Sequence, residues 1–182
     1  MSFFVSVLFT FLRIPAVHIQ SDERKFTIIY SHGNAEDVGL SLPYLDRLSR
    51  RCNCNVLAYE YCGYSIAEGE PSEKNCYECI DAAYRYLTAG RQSVVDPSSI
   101  VLFGRSLGTG PTVDLAARLL SKTTGKGSSL AGVVLQSPLV RECDLWTGLS
   151  DRIFVMVPLT FELSQLQPPK LAYMIFVIST SP

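Results

Sequence analysis

The sequence predicts an α/β domain with a mostly parallel sheet flanked by helices. Short apolar runs recur along the chain with helical patterns between them. The runs are apolar throughout instead of alternating with polar residues, as strands covered on both faces are. One of them, Ile100-Val101-Leu102-Phe103, leads through Gly104-Arg105-Ser106-Leu107-Gly108 straight into a helical pattern that starts near Thr109, which reads as strand, tight turn, helix.

The elements follow in order. Phe26–Tyr30 is β-branched and apolar and reads as a buried parallel strand. Glu36–Arg51 has Val38, Leu42, Leu45 and Leu48 at helical spacing, with Pro43 obscuring where the helix starts. Asn55–Tyr59 is a second strand, and Gly63–Pro71 a turn-rich loop. Ser72 is placed to cap a helix with Cys76, Ile80, Ala83, Tyr84 and Leu87 on one face, ended by Gly90. Ile100–Phe103 is the third strand, and its following helix runs to about Leu120. Ser121–Ser129 has a loop's composition, and Ala131–Leu135 is the fourth strand. Beyond Leu139 the alternation is lost, although Leu171–Ile178 could supply a fifth strand. The chain therefore divides into an apolar segment (1–20), a core (21–140) and a divergent tail (141–182). Stopping after about four core strands leaves a sheet edge to be covered by the tail or by self-association.

Composition narrows the function classes. A chain of 182 residues is one domain by length and buries on the order of 70% of its unfolded surface. Sixteen basic and 17 acidic residues, with no basic stripe, point away from nucleic acid. Of the six cysteines Cys76 and Cys79 lie one helical turn apart, but a zinc site would need a second clustered pair and histidines at ligand spacing, and neither His18 nor His32 is suitably placed, so no metal is expected. No cofactor is expected either. Val113 stands where a dinucleotide fingerprint starting at Gly108 would need its third glycine, and Thr124–Gly127 lacks the P-loop's upstream glycine and following Ser/Thr. Ser2–Leu12 is apolar but has no charged n-region before it and is too short to span a bilayer. It reads either as a buried edge strand or as a segment that associates with a membrane surface. The absence of an N-x-S/T sequon fits a reducing compartment.

Chemistry concentrates at the ends of two strands. A serine at the tip of a glycine-flanked turn is the pattern of a nucleophile elbow, in which bulkier neighbours would collide with strand and helix. The next helix directs its positive end at an oxyanion forming there. His32-Gly33-Asn34 leaves the first core strand on the same, carboxyl side of the sheet.

On four blocks the chain resembles the α/β hydrolases, and more narrowly the eukaryotic α/β-hydrolase-domain proteins that include protein depalmitoylases, relatives of serine-aminopeptidase-like hydrolases. The blocks are Tyr30–Gly39; Tyr59–Tyr64 with Gly69–Glu73; Leu102–Ala116; and Val133–Leu139. The resemblance implies a partial α/β-hydrolase fold lacking the last strands. It makes Ser106 the nucleophile and the backbone N–H groups of Asn34 and Leu107 the oxyanion donors, with His32 a shaper of its loop. It implies ester or thioester substrates, S-acylated protein among them, and work in the cytoplasm or at the cytoplasmic face of membranes.

The departures bear on activity. The family order is serine, aspartate, histidine. Here the two histidines, His18 and His32, both precede Ser106. Asp144 and Asp151 fall too early for the family aspartate, Asp114 lies on the helix behind the serine, and Ser65 stands where related sequences often have glycine. The simplest account is a truncated, alternatively spliced or mis-predicted product of a serine hydrolase gene. Two readings follow: an acyl-transfer enzyme working through Ser106, or a hydrolase-like fragment or binding module that cannot activate its serine.

Overall fold

Strands apolar on both sides need cover on both faces, and the helices supply it. The structure, a computed structural model, describes residues 2–9, 12–21, 23–89, 95–121, 130–138, 154–156 and 174–178. In these the chain runs β1 (Ser2–Phe9), β2 (Leu12–Ile19), β3 (Thr27–Ser31), α1 (Val38–Cys52), β4 (Asn55–Tyr59), α2 (Glu73–Ala89), β5 (Ile100–Arg105), α3 (Thr109–Ser121), β6 (Gly132–Gln136), β7 (Phe154–Met156) and β8 (Met174–Ile178). The sheet order is β1-β2-β4-β3-β5-β6-β8-β7. All pairings from β4 to β7 are parallel, and β1 and β2 form an antiparallel hairpin added beside β4.

The two cores interleave along every central strand. Ile29, Leu57, Tyr59, Ile100, Leu102, Val133 and Leu135 face α2 and α3, packing with Cys79, Ile80, Ala83, Leu87, Val113 and Ala116. Their immediate neighbours Ile28, Tyr30, Val56, Ala58, Phe103 and Val134 face the other way, toward Val38, Leu45 and Leu48 of α1. This two-sided burial is why the sequence shows runs instead of alternation.

Local signals set the helix ends. Asp37 caps α1, its side chain accepting from Leu40 N–H at 2.7 Å. Pro43 sits inside this helix on the exposed side, so it does not mark the start. Asn53 closes α1 in the left-handed conformation, φ 47°. Ser72 caps α2 through Asn75 N–H at 3.1 Å. Gly90 and the Ser121–Ser129 loop lie outside the described residues, save Ser121 itself, which ends α3.

Both ends of the sheet differ from a plain reading of the core. Ser2–Phe9 is a strand at the sheet edge, pairing Ser2–Phe9 against Ile19–Leu12. Leu12–Ile19, which carries Arg13 and Pro15 and so gives a poor strand signal, is nonetheless β2. Its pairing with β4 begins at Ala16–Tyr59, just past the proline's missing donor, and Pro15 still accepts from Glu60 N–H at 2.9 Å. At the other end, Met174–Ile178 pairs in parallel along β6, so a tail strand covers the edge that the fourth core strand would have left open. Among the described residues no helix is long and apolar enough to cross a membrane.

β2 also buries His18, which is 3% exposed. Its ring meets Tyr86 edge-on at 5.8 Å, with Nδ1 3.4 Å from the Tyr86 hydroxyl, and Nε2 is buried with no hydrogen-bond partner among the described residues. Burial lowers its pKa from the ordinary 6.5 to about 4. An unfolded chain therefore takes up this proton first as the pH falls. The contribution of His18 is intact above about pH 6.5 and is lost progressively down to about pH 4, to a limit of about 3 kcal/mol. Urea midpoints measured from pH 7 to 4 should fall less steeply for His18→Phe than for the parent; equal slopes would refute this.

Candidate active site

The elbow is built by exclusion of side chains. Ser106 has φ 49°, a left-handed conformation that costs a non-glycine residue about 1–3 kcal/mol. A Cβ on Gly104 would sit 2.5 Å from the Gly108 carbonyl oxygen and 2.6 Å from Thr112 Oγ1. A Cβ on Gly108 would sit 2.1 Å from the Ser31 carbonyl oxygen and 2.8 Å from that of His32. The two glycines thus let β5 turn sharply into α3 while the turn lies against the end of β3. The turn is closed by Thr109, whose hydroxyl donates to the Ser106 carbonyl at 2.6 Å. Beneath it, Thr112 Oγ1 reaches Ser31 Oγ at 3.4 Å, and Ser31 Oγ lies 2.7 Å from the Tyr59 hydroxyl.

The second loop is held as firmly. β3 and β5 are hydrogen-bonded neighbours with Ser31 opposite Gly104, so His32-Gly33-Asn34 and Arg105-Ser106-Leu107 leave the sheet side by side. His32 is 1% exposed, and both ring nitrogens face acceptors: Nδ1 the Gly33 carbonyl at 2.9 Å and Nε2 the Glu60 carboxylate at 2.7 Å. Glu60, 2% exposed, also accepts from the backbone N–H groups of Val38 at 3.1 Å and Tyr61 at 3.2 Å. A buried carboxylate with this many donors is satisfied instead of costly. The Tyr61 hydroxyl donates to the His32 carbonyl at 2.9 Å, and the Tyr64 hydroxyl donates to Asn34 Oδ1 at 2.5 Å. His32 is therefore fully engaged in shaping its loop.

Of the residues singled out from sequence, Ser106 and Leu107 are half-buried and Asn34 is exposed, all at the carboxyl ends of adjacent strands. Asp114 is turned away to an ion pair with Arg118 at 2.7 Å. Asp144, Asp151 and Cys143 lie outside the described residues. Ser65, in the Gly63–Pro71 loop, has φ 50°, a conformation that glycine adopts without the same cost. Cys54, Cys62, Cys76 and Cys79 are buried. Cys62 and Cys79 approach to 3.6 Å between sulfurs, and burial pushes the Cys76 thiol up to about 11, so these thiols behave as core residues. Among the described residues no three His, Cys, Asp or Glu side chains are grouped to hold a metal ion.

Glu60, Tyr61 and Tyr64 were not assigned roles by the sequence. Their only signal was membership of the block Tyr59–Tyr64, because the contacts they make span 28 to 30 residues along the chain.

A mostly parallel sheet with a strained serine at the end of a central strand, tucked against a His-Gly loop, is the core of an α/β hydrolase. The family described as "Chlamydia CHLPS protein (DUF818)" matches residues 12–135. The human protein named alpha/beta hydrolase domain-containing protein 17C is 43% identical over 116 residues, covering 64% of this chain and 32% of that protein. The chain spans about a third of the length of the curated relatives it matches. Among solved structures, an alpha-beta hydrolase from Vibrio vulnificus superposes with a TM-score of 0.72 at 19% identity, covering 98% of this chain and 73% of its own. An esterase of the bacterial hormone-sensitive lipase family gives 0.60 at 26% identity, covering 77% of this chain and 44% of its own. The chain belongs to the α/β-hydrolase superfamily, as a partial member, and to the family of the Chlamydia CHLPS protein (DUF818).

Proposed function

We propose that this chain carries the nucleophile and oxyanion half of a serine hydrolase acting on esters or thioesters, S-acylated protein being the substrate class that the family resemblance favours. The observation that carries the reading is the left-handed Ser106 between two glycines with no room for a side chain, lying against the end of β3. In this reading Ser106 Oγ attacks the acyl carbonyl carbon. The carbonyl electrons pass to its oxygen, which the N–H groups of Asn34 and Leu107 hold. The carbonyl re-forms as its bond to the leaving oxygen or sulfur breaks, the serine's proton passes through solvent to that atom so that an alcohol or thiol leaves, and water later cleaves the acyl-serine to the acid and free Ser106. The N-terminus of α3 adds its positive end to the same side.

The test is covalent. A fluorophosphonate should label the purified chain slowly, at one site mapped by mass spectrometry to Ser106, and Ser106→Ala should remove the label. Labelling elsewhere, or none at high probe concentration, would sink the reading. One observation favours the alternative, a hydrolase-like binding module: His32 is tied at both ring nitrogens and His18 is buried on β2. Neither can take the serine's proton.

A further inference from the structure

The Glu36 side chain joins the two loops of the site. Its Oε1 lies 2.6 Å from Arg105 Nη1, and its Oε2 accepts from Gly33 N–H at 3.3 Å. The loop is tied back on itself as well, since Glu36 N–H donates to the Gly33 carbonyl at 3.3 Å. One carboxylate thus grips the residue before Asn34 and the residue before Ser106. The other anchors of the His32 loop, Glu60, Tyr61 and Tyr64, all come from the segment after β4. Glu36 and Arg105 are the pair that spans from this loop to the elbow itself.

The ion pair is partly sheltered. The Glu36 and Arg105 side chains are 24% and 44% exposed. Tyr30 and Tyr44 lie near enough to feel both charges. Burial first raises the pKa of each hydroxyl; Glu36 raises it further, and Arg105 opposes. A charge-assisted bond at this depth is stronger than an open surface pair and weaker than a core one.

We propose that Glu36 and Arg105 are positioning residues, an ionic clamp that keeps the Asn34 loop in register with the Ser106 elbow. The role in chemistry rests on the reading of Ser106 as nucleophile; the clamp itself does not. The two side chains act through one another. Glu36→Ala removes both grips and Arg105→Met removes one while keeping the apolar stem. Arg105→Lys keeps the charge and should rescue.

Hydrogen–deuterium exchange of the peptide covering 32–37 in the full chain reads the clamp without needing activity. Glu36→Ala and Arg105→Met should each speed exchange about five-fold, an amount in keeping with a partly exposed charged pair. The double variant should be no faster than Glu36→Ala alone, and Arg105→Lys should match the parent. The rate of Ser106 labelling by a fluorophosphonate should fall by a similar factor in the same two variants and recover in Arg105→Lys. Unchanged exchange in the single variants, or strictly additive effects in the double, would overturn the clamp. If exchange responds as expected while Ser106 is never labelled in the parent, the clamp stands and the hydrolase reading fails.

Discussion

Replacing Gly108 by alanine is expected to cost more than about 3 kcal/mol and to lower the melting temperature by roughly 10 °C. The added methyl would lie 2.1 Å from the Ser31 carbonyl oxygen and 2.5 Å from its carbon, both backbone atoms at the carboxyl end of a central strand. A flexible side chain could yield to such a contact. Here the yielding partner is β3, whose Ser31 pairs with Gly104 and whose residues are all buried. The first turn of α3 must therefore move away from the sheet and carry Leu107 with it. Gly33 provides the contrast. A methyl there meets nothing nearer than Glu36 Cδ at 3.6 Å, an ordinary contact, and Gly33→Ala should change stability by less than about 1 kcal/mol. Circular dichroism melts of the two variants beside the parent decide the matter. A Gly108→Ala melt within 2 °C of the parent would show that the elbow is not packed as described.

Much of this packing is legible in the sequence because it is local. The runs at Phe26–Tyr30, Asn55–Tyr59, Ile100–Phe103 and Ala131–Leu135 correspond to β3, β4, β5 and β6 within a residue or two. The glycines of Gly104–Gly108 mark a turn whose geometry allows nothing larger. What could not be read is what the fold brings together over distance. Leu12–Ile19 carries an arginine and a proline that break the pattern of a strand, and pairing with β1 and β4 makes it one. Glu60 looks like any charged residue after a strand. Its place under His32, 28 residues earlier, is a consequence of β3 and β4 being parallel neighbours. The Glu36–Arg105 pair spans a still longer stretch of chain and has no periodicity to betray it. In the tail, apolar content marked Leu171–Ile178 as strand-like, but its place beside β6 is a tertiary fact.

The second large effect concerns turnover. A serine hydroxyl is a weak nucleophile until a base takes its proton, and loss of the histidine from a serine-hydrolase triad costs on the order of a million-fold in turnover. Of the two histidines in the chain, His32 has both ring nitrogens at acceptors and Glu60 holding it in place. His18 lies on β2, with β4 and β3 between it and β5, so about 14 Å of sheet separates the two strands. The 182-residue chain is therefore expected to hydrolyse activated esters and acyl thioesters about a million-fold more slowly than a hydrolase with a complete triad. What remains is oxyanion stabilisation and binding, roughly a thousand-fold or more over water. Added imidazole, a diffusible base of suitable pKa, should raise the rate, and Ser106→Ala should lose both the residual activity and the response to imidazole. His32→Gln should give no specific loss of proton transfer beyond what loosening of its loop causes, so its activity should respond to imidazole in the same proportion as the parent. Rapid turnover by the parent that disappears in Ser106→Ala would mean that another group in the chain serves as base, and the binding-module reading would fall with it.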